Sequence, residues 1–282
     1  QERHMIREMQ FAGLFYEENE IQLEKNMQAF FQGKFSFNGN AAENTLKFQT
    51  KQKTRICLLP HAGHIYSGKI TAETLAEIHL PRKLIMLCPN HTGLGRHGAV
   101  WESDAFTTPF GRVPVAEDIA DRLLKTKWFR KDYLAHQKEH SIEVILPFLQ
   151  YTMGEELEIV PVSLAGMENL PQMAESISQC MQEHEETGLV VSSDMNHFAA
   201  EKENKRKDFL ALDAIRAMNE KALIRTVIEN DISMCGVLGA YVAVLAAKKL
   251  NLQNCRLAGY DTSASVSGDT SRVVGYAGLY FY

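Results

Sequence analysis

Apolar runs of strand length alternate with segments of helical period along the chain after residue 54. The short continuous runs are typical of buried strands, and the segments with apolar residues every three to four positions are typical of helices. This alternation predicts an α/β fold with a largely parallel central sheet flanked by helices. The predicted strands are 55–59, 83–88, 99–103, 157–164, 188–193, 255–260 and 275–282, and the predicted helices are 69–79, 115–126, 141–152, 169–183, 206–230 (as two helices) and 236–250.

The pattern predicts a single domain over residues 1–282. It shows no internal repeat and no low-complexity linker, and 282 residues are enough for one large α/β core. Residues 33–54 are polar, contain glycine and asparagine, and are expected to form a long loop. Residues 1–5 are compatible with a cloning remnant. In 236–250 the glycines and alanines predict a helix that packs closely against a neighbour.

Composition and charge argue against several classes of protein. The 30 basic and 35 acidic residues give a net charge of −5, so neither nucleic acid nor an anionic membrane is expected as a partner. No apolar run approaches the roughly 20 residues of a membrane helix, and the first ten residues lack the apolar centre of a signal peptide. An odd, scattered set of cysteines without CxxC pairs predicts a reducing, cytoplasmic location: Cys57, Cys88, Cys180, Cys235 and Cys255.

Three predicted strands end in a turn that carries a histidine. PHAGH follows the strand 55–59, PNHTG follows 83–88, and DMNH follows 188–193. In open α/β sheets, ligands bind beyond the carboxyl ends of the strands. We therefore predict that one edge of the sheet carries a site to which these turns contribute His61, His91, Asp194 and His197.

Each of these residues also has a structural interpretation. A lone histidine in such a turn usually forms a loop hydrogen bond, and Asp194 could cap a helix. If a helical turn begins there, the i, i+3 spacing of Asp194 and His197 turns both to one side, as in an acid–base or metal-orienting pair. His64 is expected to lie outside the ligand set, and Gly63 is expected to allow a tight turn.

The segment KEHSIEVILPFLQ, residues 138–150, carries a further candidate. Ser141 is predicted to cap a helix whose apolar face enters the core. Glu139, His140 and Glu143 have two interpretations at this point. They form either a capping cluster on the surface or a proton-transfer histidine at the rim of the pocket, tuned by a carboxylate.

Cys235 differs from the other cysteines because it precedes Gly236 at the predicted start of an apolar helix. A helix N-terminus favours the thiolate, which can act as a nucleophile or as a soft metal ligand. The structural alternative is a small buried apolar residue, the usual role of a free cysteine. Cys57 and Cys88 lie inside predicted strands and are expected to contribute to packing.

Five segments resemble the Memo family (mediator of cell motility; AmmeMemoRadiSam system protein B in bacteria). PHAGHIYSG, CPNHTG, EHSIEVILPFLQ, VVSSDMNHF and the Cys–Gly pair at 235–236 occur in the order and spacing of that family. The N-terminal FAGLFYEENEIQLEKNM also resembles the family's opening segment, so the resemblance covers residues 6–282. It implies a fold related to the class III extradiol (LigB-type) dioxygenases, which are non-haem iron enzymes.

The resemblance also implies residue roles. It implies a metal site at His61, His91 and Cys235, with Asp194 and His197 in the same pocket. His140 falls where the related dioxygenases carry an acid–base histidine. Those enzymes bind iron(II) through two histidines and a glutamate, whereas this chain offers Cys235, so ring cleavage does not follow. Two imidazoles and a thiolate suit iron, copper or zinc.

Three functions are open at this point. The first is an iron- or copper-dependent redox or oxygenase-like enzyme acting on a small substrate, with proton transfer by His140, Asp194 or His197. The second is a non-catalytic metal-binding protein. The third is an adaptor that holds a peptide in the pocket, as the link of eukaryotic family members to phosphorylated peptides implies. A metal-free hydrolase built on Cys235, His197 and Asp194 would leave the other histidines without a role. The bacterial family name implies AMMECR-like and radical SAM proteins as partners.

Overall fold

A computed structural model describes residues 5–33 and 51–282. In these residues helices flank a large nine-stranded mixed sheet, and two further strand pairs lie apart from it. The strands are β1 Gln52–Lys53, β2 Ile56–Leu59, β3 Ile78–His79, β4 Lys83–Pro89, β5 Ala99–Val100, β6 Ala105–Thr108, β7 Gly111–Pro114, β8 Arg130–Lys131, β9 Glu158–Leu164, β10 Thr187–Ser192, β11 His197–Ala199, β12 Cys255–Thr262 and β13 Val273–Phe281. The helices are α1 Glu20–Phe31, α2 His64–Glu77, α3 Glu117–Leu124, α4 Leu134–Gln137, α5 Leu146–Met153, α6 Leu170–Glu183, α7 Glu201–Arg216, α8 Glu220–Glu229, α9 Val237–Lys249 and α10 Ala264–Ser267, with a 3₁₀ turn at Gly154–Glu156.

Four parallel strands form the centre of the large sheet, in the spatial order β2–β10–β4–β9. On one side β13 pairs antiparallel with β2, and on the other β5 pairs antiparallel with β9. The predicted α/β class is confirmed, with the parallel strands at the centre and antiparallel pairs beside them. Because β2, β10 and β4 are adjacent and parallel, their carboxyl ends meet at one edge of the sheet.

The central strands are buried on both faces, which explains why their sequences are continuous apolar runs. Helices on both faces and the sheet share one hydrophobic core. The predicted close packing of the helix at 236–250 is present: a Cβ added at Gly239 would lie 2.8 Å from Val191 Cγ1 of β10. Across the two described ranges, none of the helices is both long and apolar enough to cross a membrane.

Most predicted elements are present, with shifted ends. The segment 206–230 divides into α7 and α8, as predicted. The strand predicted at 99–103 is reduced to two residues, and α2 begins earlier than predicted, at His64. The pattern did not predict α1 or the antiparallel pair β6–β7. Residues 1–4 of the predicted remnant and most of the predicted loop 33–54 lie outside the described residues.

One local prediction is wrong, and the condition attached to another interpretation is not met. The helix predicted at 141–152 begins only at Leu146, with Pro147 in its first turn, so Ser141 is not its cap. The Ser141 hydroxyl instead donates to Glu139 Oε1. The helical turn considered at Asp194 is also absent, because the chain runs on into β11 at His197.

Candidate metal centre

The predicted convergence of the three histidine-bearing turns is present at the carboxyl edge of the sheet. His61 follows β2, His91 follows β4, and Asp194 follows β10, and these are the three adjacent parallel strands. The His61 and His91 rings lie 5.2 Å apart between centroids. Cys235 reaches the same place from the loop that precedes α9.

A chain of hydrogen bonds fixes the tautomer of His61. The Ser192 hydroxyl donates its only proton to the carbonyl of Ser141 over 2.7 Å. It can therefore only accept from His61 Nδ1, which lies 2.7 Å from the same hydroxyl. The proton of the neutral ring is on Nδ1, so Nε2 presents its lone pair to the pocket. Burial, with the charge of His91, lowers the pKa of His61 to about 3, so the ring is neutral at pH 7.

His91 is oriented in the same way by a carboxylate. Its Nδ1 donates to Glu139 Oε1 over 2.8 Å, and its backbone N–H donates to Glu139 Oε2 over 2.8 Å. Burial by itself would raise the pKa of Glu139, but hydrogen bonds from His91 and Ser141 lower it to about 2. The charged carboxylate therefore holds the proton of His91 on Nδ1 and leaves Nε2 open, which is how carboxylates orient metal-ligating histidines.

Cys235 Sγ completes a compact set of three ligand atoms. It lies 3.4 Å from His61 Nε2, and the ligand atoms of His61, His91 and Cys235 are all within 4.8 Å of one another. Metal–nitrogen and metal–sulfur bonds of about 2.0 and 2.3 Å at a tetrahedral angle would place N and S about 3.5 Å apart. The observed N–S separation therefore fits one shared metal ion.

The Cys235 thiol is not stabilised as a thiolate by the following helix. Burial and the nearby Asp194 raise its pKa. The helix α9 begins only at Val237, and the Gly236 N–H donates to Ser193 Oγ over 3.0 Å. The sequence-based expectation of a helix-stabilised thiolate is therefore wrong for the metal-free chain. A bound cation would reverse this balance, since a coordinating thiol is deprotonated.

His140 lies inside this pocket and not in a surface capping cluster. Its ring stacks on His91 at 4.7 Å, lies 5.3 Å from the His61 ring, and contacts Phe15 at 4.7 Å. Burial, with the charge of His61, lowers the pKa of His140 to about 4. The ring is neutral at pH 7 and able to accept a proton.

Asp194 and His197 both border the pocket, through different partners. Asp194 Oδ1 accepts from the His61 backbone N–H over 2.8 Å, and Oδ2 lies 4.0 Å from His61 Nε2. Burial raises the pKa of Asp194. His197 donates from Nδ1 to the Ser233 carbonyl over 2.9 Å. Asp194 is hydrogen-bonded to the His61 turn, Cys235 lies beside His61, and His197 is hydrogen-bonded to Ser233, an arrangement that does not support a Cys235–His197–Asp194 hydrolytic relay.

Glu143, predicted to sit with His140, has a different role. Its carboxylate is completely buried, forms an ion pair with Arg7, and accepts from Tyr16 Oη over 2.7 Å and from the Phe11 N–H over 2.8 Å. Arg7 Nη2 donates to the Glu139 carbonyl over 2.7 Å. This buried cluster fastens the N-terminal segment behind the turn that carries Glu139 and His140.

His64 lies outside the group of candidate ligands, as expected, whereas Gly63 differs from expectation. His64 is buried, stacks on Tyr16, and donates from Nε2 to the Val144 carbonyl over 2.7 Å. Gly63 has an ordinary φ of −50°. A Cβ there would lie in ordinary contact, 3.4 Å from the Phe15 carbonyl oxygen, which accepts from the His64 N–H. The backbone at Gly63 therefore does not need the conformational freedom of glycine.

Sequence reasoning missed the residues that orient the candidate ligands. Ser192 lies inside a predicted strand and Glu139 beside a candidate histidine, yet neither was assigned to a ligand. Glu139 lies in the polar run of residues 137–141, so the local sequence does not distinguish it from a surface carboxylate. Its contact with His91, 48 positions earlier in the chain, forms only in the folded protein.

Comparisons with known proteins match nearly the whole chain to one family. A family model described as Memo-like protein matches residues 7–280. A MEMO1 family protein of Thermotoga neapolitana is 38% identical over 280 residues, which covers 96% of this chain and 98% of the relative. Those of Aquifex aeolicus and Methanobrevibacter smithii are 34% and 33% identical over 281 and 280 residues, covering 98% and 97% of this chain and 99% and 98% of theirs.

A solved structure is similar in fold. The crystal structure of uncharacterized protein JW3007 from Escherichia coli K12 superposes with a TM-score of 0.54 at 10% identity, covering 80% of this chain and 99% of that chain. At this identity the likeness concerns the fold alone.

Proposed function

The chain belongs to the Memo family, and we propose that its pocket is a mononuclear metal centre with His61, His91 and Cys235 as ligands. One observation carries the proposal. The three ligand atoms lie within 4.8 Å of one another, and hydrogen bonds at both Nδ1 atoms leave both Nε2 atoms open towards Cys235. A metal binds the free lone pair of an imidazole and a deprotonated thiol, so ring nitrogens already freed by such hydrogen bonds suit metal binding.

The ligand chemistry favours iron or copper, with zinc as the redox-inactive alternative. Two imidazoles and one thiolate form a softer set than two imidazoles and a carboxylate. A bound iron or copper ion would supply one-electron redox chemistry next to a small substrate. We therefore propose a redox or oxygenase-like enzyme, and a protein that only binds or hands on the metal is the second candidate.

The remaining polar residues suit proton transfer. His140 is a neutral base at pH 7 that faces both candidate histidine ligands, so it can accept a proton from a substrate held between them. Asp194 accepts from the His61 backbone N–H and so holds the His61 turn in place, and its own N–H donates to Cys235 Sγ. In this proposal His140 moves the substrate proton, and Asp194 and His197 adjust charge at the Cys235 side.

Metal content tests the proposal directly. The protein is purified without oxygen beside His61→Ala, His91→Ala and Cys235→Ser, and its metals are measured by mass spectrometry. About one equivalent of iron or copper, lost in all three variants, is expected. An exposed histidine, His79→Ala, is the matched control and should keep its metal.

Oxygen consumption then separates the two candidates. An enzyme of the proposed kind consumes oxygen with a catechol-like or other reducing substrate, and His140→Gln slows it while keeping the metal. Metal without turnover would favour the non-catalytic protein. If no variant differs from the parent after loading with Fe(II), Cu(I) and Zn(II), the metal proposal is wrong, and a ligand-binding adaptor becomes the better account.

A further inference from the structure

Asp208 of α7 is a completely buried carboxylate that the candidate metal centre does not use. Its Oδ1 accepts from the Asn196 backbone N–H over 2.7 Å, and its Oδ2 accepts from Tyr260 Oη over 2.7 Å and from Asn204 Nδ2 over 3.0 Å. All three donors are neutral. Burial raises the pKa of Asp208 to about 6, although these hydrogen bonds oppose the rise. A buried carboxylate without a cation among these partners is costly, so its presence needs a reason.

The backbone of β13 leaves space for this carboxylate. A Cβ added at Gly275 would collide with Asp208 Oδ2. Gly275 also contacts the pocket turn, because its carbonyl accepts from the Met195 N–H and its own N–H donates to the Asn196 carbonyl. The strand, the helix and the turn after β10 therefore meet at Asp208.

A continuous set of hydrogen bonds leads from Asp208 to the pocket. Asn204 also donates to the Asn196 carbonyl over 3.1 Å, and the Asn196 amide donates back to Asn204 Oδ1 over 2.7 Å. Asn196 Oδ1 then accepts from the Ser233 N–H over 2.9 Å and from Ser233 Oγ over 3.2 Å. Asn196 and Asn204 are buried, so each lost hydrogen bond would leave a polar group unpaired.

Ser233 is the last member of this set and joins two pocket segments. Its hydroxyl accepts from the His197 N–H over 2.8 Å, and its carbonyl accepts from His197 Nδ1 over 2.9 Å. Cys235 follows two residues later, and its Sγ accepts from the Asp194 N–H over 3.3 Å. The turn 194–197 and the loop 233–235 are thus held together through Asn196, which Asp208 anchors.

We propose that Asp208 is a positioning residue which, through Asn196 and Ser233, holds Cys235 against His61 and orients His197. The metal part of this inference rests on the proposed function, whereas the placement of the thiol does not. A role limited to stability would lower the melting temperature of an Asp208 variant. A positioning role also changes metal affinity and thiol reactivity in protein that is still folded.

The test compares Asp208→Asn with the parent chain. Asparagine has the same shape and fits beside Gly275, but it offers a single acceptor oxygen to three donors and directs an NH₂ group at one of them. Asp213→Asn on the same helix is the matched control, because that carboxylate is exposed and forms a surface ion pair with Arg216 at 3.6 Å. Ser233→Ala removes the hydroxyl at the pocket end of the same set.

Two properties are measured at pH 7.5, with folding checked by circular dichroism. The first is Co(II) affinity, followed by the sulfur-to-cobalt charge-transfer absorption of Cys235. The second is the rate at which Cys235 of the metal-free protein reacts with a disulfide reagent, corrected with Cys235→Ser. We expect Asp208→Asn to weaken Co(II) binding about tenfold, the usual effect of losing a residue that orients ligands, and to change the thiol rate several-fold. Ser233→Ala should change the Co(II) affinity and the thiol rate in the same direction as Asp208→Asn. Asp213→Asn should change neither property.

The outcomes separate this inference from the proposed function. If Asp208→Asn folds and keeps both the Co(II) affinity and the Cys235 reaction rate of the parent, the inference is overturned. The metal proposal is unaffected by that result. An altered thiol rate in a chain whose parent binds no Co(II) would support the positioning of Cys235 and reject the metal centre. If Asp208→Asn does not fold, the same two measurements on Ser233→Ala decide, and parental values there would overturn the inference.

Discussion

At the scale of single residues, the two imidazole tautomers matter most. At His61 the Nδ1 proton is directed to a serine hydroxyl, and at His91 to a carboxylate. In both cases the opposite nitrogen is left as a lone pair aimed into the pocket. The orienting groups are therefore as important to the site as the candidate ligands themselves.

Glu139→Gln tests this orientation. The glutamine oxygen can still accept from the His91 ring and Ser141, but its NH₂ group then faces the His91 backbone N–H, and the negative charge that holds the ring proton is lost. We expect metal affinity, measured by competition titration with a chelator, to fall about 10- to 100-fold. Glu183→Gln, an exposed carboxylate paired with Arg122, is the control. A Glu139 variant that binds metal within twofold of the parent would contradict the assignment.

The candidate ligands were predictable from sequence, and their partners were not. His61 and His91 each lie in a proline-containing turn that follows a strand-like run, and the two turns have similar sequences. A local pattern therefore identifies both residues. Ser192 contacts His61 because β10 lies beside β2 in the sheet, and Glu139 contacts His91 from a loop that is distant in sequence. Strand order is a tertiary property, and no local pattern encodes it.

At the scale of elements, the start of α9 sets the position of Cys235. A Cβ added at Gly236 would lie 2.5 Å from the Ser192 carbonyl oxygen, so a side chain there must push the helix away from β10. We expect Gly236→Ala to lower the free energy of unfolding by about 2 kcal/mol, as overpacking commonly does, and to weaken metal binding. Urea unfolding and metal titration measure the two effects.

Gly166→Ala is the control for this substitution, because an added Cβ there meets no heavy atom within 4 Å. It should leave the stability within about 0.5 kcal/mol of the parent. A Gly236→Ala protein as stable as this control would show that α9 can shift without cost, and that the close contact with β10 is not needed.

The attachment of the N-terminal segment depends on one buried ion pair. Glu143→Ala would leave the buried Arg7 guanidinium without its carboxylate and the Tyr16 hydroxyl without its acceptor. Removing one partner of a buried pair costs about 3–5 kcal/mol, so a loss of that size is expected in urea unfolding. Glu155→Ala, at an exposed position, should change little. A loss below about 1 kcal/mol for Glu143→Ala would contradict the account.

Element boundaries show where local pattern fails. The apolar stretch after Ser141 has helical period, yet its first residues form turns, because Glu139 and Glu143 make hydrogen bonds to His91 and Phe11, which are distant in sequence. The short strands β5 and β11 depend on pairing with β9 and β13 rather than on their own composition. The long central strands were predictable because burial on both faces leaves a continuous apolar run.

At the scale of the whole molecule, buried histidines set the response to acid. Burial lowers the pKa of His64 and of His136 to about 4, below the ordinary value of 6.5. Both take up protons on unfolding, so their stabilising contribution is present above pH 6.5 and is lost as the pH falls towards 4. Burial raises the pKa of Asp208 to about 6, so this residue releases a proton on unfolding. Its effect on the pH dependence of stability is opposite in sign and offsets that of one of the two histidines.

His136→Gln tests this balance in the metal-free protein. Glutamine keeps a donor for the Ala99 carbonyl but does not titrate. The free energy of unfolding should fall less steeply between pH 6 and 4.5, by roughly 1 kcal/mol per pH unit relative to the parent. His79→Gln, at an exposed position, should retain the parental slope. An unchanged slope for His136→Gln would show that His136 titrates normally in the folded protein.

The fold class and the meeting of three turns were both predictable, because parallel strands must end at one edge. The relatives and the family model cover nearly the whole chain, which agrees with the resemblance stated on five segments. The cytoplasmic location, the pocket ligand and the AMMECR-like and radical SAM partners stay predictions. They concern surfaces and surroundings that neither the strand pattern nor the pocket geometry describes.

X-ray absorption at the metal edge of the loaded protein tests the central claim most directly. The account predicts one sulfur scatterer at about 2.3 Å and two imidazole nitrogens at about 2.0 Å, with the sulfur lost in Cys235→Ser. A shell of nitrogen and oxygen alone in the parent, unchanged in Cys235→Ser, would contradict a centre built on His61, His91 and Cys235.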